Sequence, residues 1–418
     1  MRPKYGSRWR FVTRSLAAHC RDRLAAVRAA DRFRRRRVIE GAHGPVVTAD
    51  GQRCVNFCSN DYLGLASDPD LSDRLAVAAA DLGTGSAASQ LVTGHNAEHA
   101  ALEAELADWV GRERALVFAT GYAANVGVIS ALMGKGDDVV SDALNHASLI
   151  DGARLSGARK HVYGHADAAD AADKLAGCGH GNRLLVTDSV FSMDGDTAPL
   201  ADLATLAKLA GARNAEPAAW LAVDDAHGLG VFGPQGAGRV AEAGLGSAEV
   251  PLLMATLGKS VGAAGAFVAG DADVIEAILQ SARSLIFSTA PPPAVAAAAR
   301  RGVALARAGD DRRRHLMRLI ERFREGARAL GLPVTDSDSP IQPLVLGAES
   351  AALRASDGLL EHGYLVGAIR PPTVAPGTAR LRVTITAGHD ERQVDGLLDA
   401  LGAVVAPIRH DLAARCSA

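Results

Sequence analysis

The sequence predicts an α/β protein: a mostly parallel central sheet covered by helices, followed by a smaller C-terminal α+β unit. Three observations predict it. From about Asp61 to Pro293, short β-rich apolar runs alternate with helical patterns, which calls for crossover connections. Each run is followed closely by Gly, Asp or His, the residues expected at the carboxyl edge of such a sheet. A Pro-rich break at Ala290–Pro293 then separates this region from one with a different pattern. With 418 residues, 48% of them hydrophobic, the chain has ample material for more than one core.

In chain order, residues 1–60 read as a basic helical arm with short strands. Residues 61–293 form the large α/β unit, and residues 294–418 the small one. Ala100–Val110 reads as an amphipathic helix, Ala115–Ala119 as a buried strand and Tyr122–Met133 as a helix. Asp138–Ser141, Arg183–Thr187, Trp220–Asp224 and Leu252–Thr256 are further buried strands. The stretch Pro251–Gly270 approaches transmembrane length. Its four Gly, one Pro and central Lys259 suit two buried strands joined by a loop better than a span. Past the Pro-rich break, Ala294–Leu330 is a long charged helical pattern. Strand patterns follow at Tyr364–Ile369 and Arg380–Thr386, and a last helix begins near Asp390.

The net charge of −2 conceals an asymmetry: residues 1–37 hold 13 basic and 2 acidic side chains, a net +11, so the remainder carries −13. Aromatics at 4% argue against a nucleic-acid surface. The arm reads as a solvated amphipathic helix followed by an Arg run in preference to a transit peptide. Five scattered cysteines without CxxC spacing suggest neither a disulfide framework nor a zinc site, and fit a reducing cytoplasm.

The basic count of 45 divides into 39 Arg and only six Lys, so each lysine is informative. Lys135, Lys174 and Lys208 fall in or beside amphipathic helices, Lys160 in a polar turn and Lys4 near the terminus. Only Lys259 lies in an apolar, Gly-rich loop directly after a buried strand, where desolvation lowers an ammonium pKa and frees a nucleophilic amine. A lysine snorkelling from a strand end is the competing reading. Asp224-Asp225-Ala226-His227 ends another strand 35 residues earlier. A carboxylate there suits a protonated pyridine nitrogen, although an N-cap, a metal pair or a turn has the same composition. Thr120-Gly121-Tyr122-Ala-Ala-Asn125 runs from a strand into a helix, so the Gly121 and Tyr122 N–H groups are placed for a phosphate. Asn145-His146-Ala147-Ser148 offers an imidazole for stacking on a ring. No metal site is expected, because His146, His227 and the acidic residues lack tight ligand spacing.

Taken in order, these segments resemble the α-oxoamine synthases, pyridoxal-phosphate enzymes of fold type I, from about Leu24 to Val404. The most specific stretches are Asn56–Leu65, Val190–Asp196, Val223–Gly228, Thr256–Lys259, Ala368–Val374 and Gly377–Thr384. The last two resemble members that join L-alanine to a pimeloyl thioester in biotin synthesis. The resemblance implies that Lys259 forms the imine with pyridoxal 5'-phosphate and removes the Cα proton. It gives Asp224 to the pyridinium, His227 to the cofactor's phenolic oxygen and His146 to the ring face. Gly121, Tyr122, Ser192 and Thr256 become cofactor and phosphate contacts, and Ser288 and Thr289 reach the phosphate from a neighbouring subunit, implying a homodimer. Arg382 and Asn60 fall to the amino-acid carboxylate, Thr373 to substrate and Arg34 to the acyl donor. Ser260, where Gly is frequent, and Asp188, where Glu is common, depart from the pattern without touching the chemistry. Gln90 stands at a variable position expected to affect thioester handling. The rivals are a member using another amino acid, such as 2-amino-3-oxobutyrate coenzyme A ligase, an aminotransferase, and an inert partner subunit of the same fold.

Overall fold

The computed structural model describes residues 14–209 and 219–416; Lys4 and the first part of the basic arm lie outside them. Three short strands open the fold, β1 (Ile39–Glu40), β2 (Val46–Ala49) and β3 (Gln52–Asn56). The central sheet comprises β4 (Arg114–Phe118), β5 (Asp138–Asp142), β6 (Arg159–Tyr163), β7 (Arg183–Asp188), β8 (Trp220–Asp224), β9 (Leu252–Thr256) and β10 (Ala266–Gly270), in the order β4-β10-β9-β8-β7-β5-β6. β5 to β9 are mutually parallel and β10 is antiparallel to both its neighbours. β4 therefore points the same way as β9. The carboxyl ends of β4, β5, β7, β8 and β9 share one edge, and every connection leaving that edge is placed to build a site.

The Pro251–Gly270 segment is the strand–loop–strand expected, with Ala266 in register opposite Thr256 and Lys259 in the connection. Among the described residues no helix is long and apolar enough to cross a membrane. The C-terminal unit adds β11 (Ile341–Gly347), β12 (Tyr364–Leu365), β13 (Gly367–Ile369) and β14 (Ala379–Thr384). β11, β14 and β13 form an antiparallel sheet, while β12 pairs in parallel with β3, so the N-terminal strands are completed by the C-terminal unit.

The structure corrects two spans. The single helix pattern Ala294–Leu330 is two helices, Pro293–Arg307 and Asp310–Ala329. Arg313 turns back to donate to the carbonyls of Ala306 (2.5 Å) and Arg307 (3.0 Å), satisfying the end of the first helix where periodicity alone runs on. The strand Tyr364–Ile369 splits between two sheets, because the Val366 carbonyl accepts from Ser356 Oγ (2.6 Å). Two strands were not legible. β6 is an exposed, charged edge strand, and β11 carries Pro343, tolerable only because β11 lies at the edge of its sheet. The helix Leu16–Ala29 buries none of its residues, in keeping with a solvated arm, and Ser15 Oγ caps it by accepting from Ala18 N (3.2 Å).

Candidate active site

The edge where the strands end carries a cavity of about 620 Å³ lined by Asn60, His146, Ser192, His227, Lys259 and Arg382, among others. The Lys259 amine makes no hydrogen bond or ion pair with any described residue, while the Lys259 carbonyl accepts from Gly262 N (2.9 Å). Burial holds its ammonium down at about 8, against the pull of Asp224 and Asp188, with Arg382 reinforcing the depression. An amine in that state spends an appreciable fraction of time unprotonated near neutral pH.

Asp224 closes β8 and is buried, its Oδ2 accepting from Asn125 Nδ2 (2.8 Å) and its Oδ1 from Ala226 N (3.0 Å). The adjoining Asp225 faces away from this chemistry. Its carboxylate accepts from Ser189 Oγ (2.5 Å) and Val240 N (3.3 Å), and burial lifts it to about 7. Of the Asp-Asp pair, one is thus a site group and the other a structural tie.

His227 is buried, its Nδ1 2.6 Å from the Tyr62 hydroxyl. Burial raises Tyr62 to about 12, so the phenol keeps its proton and donates it, leaving the His227 proton on Nε2. Burial, with Lys259 and Arg382 nearby, pushes His227 well below its ordinary range. His146 follows the same logic. Its backbone N–H donates to Asp188 Oδ2 (2.6 Å), and its Nδ1 accepts from Ser148 N (3.3 Å) and faces Ser148 Oγ at 2.7 Å. Ser148 Oγ itself accepts from Asn125 (2.9 Å), so its proton goes to His146 Nδ1, and the neutral ring carries its own on Nε2. Burial and Lys259 lower the His146 pKa against the pull of Asp224, which keeps the ring neutral.

At the other end of the cavity Arg382, buried on β14, donates from Nε to the Ser192 carbonyl (2.6 Å) and from Nη1 to Asn60 Oδ1 (3.1 Å). Nη2 is the donor left over for a carboxylate, beside the Asn60 amide. A neighbouring cavity of about 590 Å³ continues from this one, sharing Leu144, Ile150, Met193 and Thr373. Its rim is closed by the basic arm: Arg34 Nη2 donates to Thr373 Oγ1 (3.1 Å), and Arg370 to the Asp31 carbonyl (2.7 Å).

The residues present fit pyridoxal phosphate. Thr120 Oγ1 caps the helix Gly121–Leu132 by accepting from Ala123 N (3.1 Å), leaving the Gly121 and Tyr122 N–H groups as first-turn donors. A Cβ on Gly121 would lie 2.7 Å from Thr256 Cγ2, so only glycine keeps this turn open. Thr256 Oγ1 is buried and has no hydrogen-bond partner among the described residues, an unfulfilled donor beside the turn. Lys259, Asp224 and His227 supply the amine, carboxylate and imidazole that the cofactor's aldehyde, ring nitrogen and phenolic oxygen require.

Of the residues expected from sequence, Lys259, Asp224, His227, His146, Asn60, Arg382, Ser192, Thr373, Gly121 and Thr256 come together around this edge. The Tyr122 side chain does not: it is exposed, and its hydroxyl donates to Asp151, so only its backbone suits the phosphate. Ser288 and Thr289 do not line the Lys259 cavity of their own chain, and Thr289 is exposed, bridged to Ser89. Gln90 donates to the Val117 carbonyl (2.8 Å), an anchor for its loop, and does not line the cavity. Asp138, His161 and Cys178 stand close enough for a metal at the opposite edge, but Arg159 already occupies both Asp138 oxygens. Sequence reasoning quoted Asn125, Tyr62 and Ser148 without giving them roles. The available signal was position: Asn125 follows Gly121 by one helical turn and so faces the same edge.

Fold and site together define a pyridoxal-phosphate-dependent enzyme. The family model for aminotransferase class I and II matches residues 52–401. An 8-amino-7-oxononanoate synthase from Alkalilimnicola ehrlichii is 54% identical over 383 residues, covering 91% of this chain and 96% of the relative. One from Methylococcus capsulatus is 52% identical, covering 91% and 97%. Among solved structures, a serine palmitoyltransferase from S. paucimobilis with bound PLP superimposes with a TM-score of 0.88 at 29% identity, over 94% of this chain and 99% of that one. An 8-amino-7-oxononanoate synthase from Francisella tularensis does so with 0.74 at 28%, over 86% and 99%. The chain belongs to the class I and II aminotransferase family and, within it, to the group formed by these 8-amino-7-oxononanoate synthases.

Proposed function

We propose that the protein condenses L-alanine with a pimeloyl thioester, carried by coenzyme A or a carrier protein. The products are 8-amino-7-oxononanoate, carbon dioxide and free thiol, in biotin biosynthesis. The observation that carries the reading is the Lys259 cavity. An amine of depressed pKa, under the pull of the buried Asp224, stands at one end, the Arg382–Asn60 pair that suits a carboxylate stands at the other, and a basic-rimmed neighbouring cavity continues from it. Pyridoxal phosphate, held by Lys259, Asp224, His227, the Gly121 turn and Thr256, supplies the electron sink that lets alanine lose its Cα proton.

The chain's own groups do the rest. Arg382 and Asn60 fix the alanine carboxylate and so fix which bonds at Cα face Lys259. The Lys259 amine takes the Cα proton and later returns one. Asn125 holds Asp224 in place and, through Ser148, presents His146 with its Nε2 proton toward the cavity, where it suits the thioester oxygen as charge develops. In the net reaction a Cα–C bond forms to the acyl carbon, the thioester C–S bond breaks with the thiol leaving protonated, and the alanine carboxylate departs as carbon dioxide. Arg34, braced on Thr373, faces the acyl donor.

The active unit is a homodimer in which the partner's Ser288 and Thr289 complete the phosphate site, and the setting is the cytoplasm. The large unit spans 61–293 and the small one 294–418, behind a basic arm of residues 1–60. The experiment that tests the activity follows thiol release from pimeloyl-CoA with L-alanine, glycine or L-serine. Release with alanine alone, matched by carbon dioxide, is expected; release with glycine in its place points to 2-amino-3-oxobutyrate ligase chemistry.

A further inference from the structure

The loop after β6 carries His165, whose ring bridges two carboxylates. Nδ1 lies 3.0 Å from Asp142 Oδ1, and Nε2 lies 2.6 Å from Asp196 Oδ2. Ionised carboxylates only accept, so both ring nitrogens donate and the ring is an imidazolium. Asp142 also accepts from two backbone donors, Leu144 N and Ala166 N, both at 2.8 Å. The His165 ring also meets Phe191 edge-on, centroids 4.4 Å apart.

The two carboxylates belong to the two walls of the cavity. Asp142 ends β5, and one residue later come Leu144, Asn145 and His146. Asp196 ends the loop that presents Ser192 and Met193. Leu144 and Met193 line both the Lys259 cavity and its extension, so the spacing of these walls sets the passage between them. Residues 142–146 and 191–196 leave different strands, and His165 is bonded to both.

We infer that His165 is a positioning residue for the acyl donor: as a cation shared by Asp142 and Asp196, it locks the two cavity walls against each other. The inference rests on the acyl-transfer reading for its kinetic consequence, but not for the lock itself. His165 bonds to neither Arg382 nor Asn60; its one tie to that end is the Ser192 carbonyl that accepts from Arg382 Nε (2.6 Å), and Asn60 and Thr384 hold Arg382 without it, so its loss falls mainly on the thioester.

The test uses the cofactor-loaded protein and two variants, His165→Gln and Asp196→Ala. The second removes only the partly exposed partner and leaves Asp142 with its backbone donors. Both are expected to raise the KM for pimeloyl-CoA about five- to tenfold, while the alanine dissociation constant read from the visible spectrum stays within about twofold. Amide hydrogen exchange is expected to accelerate about tenfold in 142–146 and 191–196 and to stay unchanged in the helix Gly121–Leu132. Nitrogen NMR of the wild type is expected to show His165 doubly protonated at pH 7.5. A pimeloyl-CoA KM within twofold of wild type, an equal loss for both substrates, or a neutral His165 ring would overturn the assignment. Should the wild type release no thiol with alanine, the acyl-transfer reading falls, while the exchange rates still decide whether His165 couples the loops.

Discussion

At the scale of single residues, Asn125 is the most consequential group around the cavity that touches no reacting atom. Its amide donates at once to Asp224 (2.8 Å) and to Ser148 (2.9 Å), and Ser148 sets the His146 tautomer. Asn125→Ala leaves a buried carboxylate with one donor where it had two, a deficit of about 1–3 kcal/mol. Steady-state kinetics should therefore show kcat down by about 10- to 100-fold, with the cofactor-free protein melting a few degrees lower. A wild-type kcat would remove Asn125 from the account. Arg34 makes the opposite prediction, an effect on binding alone. Arg34→Ala should raise the acyl-donor KM and leave the alanine-induced spectral change as it was, because its one side-chain hydrogen bond among the described residues is to Thr373 and not to the Arg382–Asn60 pair. An unaltered acyl-donor KM would sink that role.

At the scale of elements, the site depends on strand ends that stop in register and on turns that need glycine. Asp188 and Asp224 are paired neighbours across β7 and β8, and Asp224 is opposite Met254 of β9, so their following loops emerge side by side. Gly230 shows how tightly those loops pack. It has φ +83°, and a Cβ there would come 2.4 Å from the Ser260 Cβ, beside Lys259. Gly230→Ala should cost about 2 kcal/mol or more in thermal unfolding. An unshifted Tm would show that the Ser260 loop can give way.

The same elements show what the sequence disclosed. Buried strands β4, β5, β7, β8 and β9 were legible because both faces are covered, which leaves continuous apolar runs, and their polar ends marked the edge where the site lies. Lys259 stood out because lysine is rare here. β6, solvated and charged, lacked that signal. The break between the two helices at Gly309 depends on an arginine folding back, a tertiary event that periodicity does not record. Tyr62, Ser148 and Asn125 escaped for the same reason: their roles exist only once segments 23 to 165 positions apart are brought together.

At the scale of the molecule, the proposed homodimer makes a completed site depend on a second chain. Ser288 and Thr289 do not line the cavity of their own chain, while the exposed Phe287 beside them lies on the surface available to a partner. Sharing of this kind is tested by complementation. Lys259→Ala chains and chains carrying Ser288→Ala with Thr289→Ala, each of low activity alone, should recover up to about one quarter of wild-type activity when unfolded together and refolded, since a mixed dimer regains one intact site of two and mixed dimers are half the population. No recovery would mean that each chain builds its site alone.

In the proposed function Lys259, of the six lysines, is the amine that holds the cofactor, and the site of covalent attachment can be measured directly. Borohydride reduction of the cofactor-loaded protein, followed by peptide mass mapping, should place a single phosphopyridoxyl group on Lys259. A group on any other lysine, or none at all, would contradict the account.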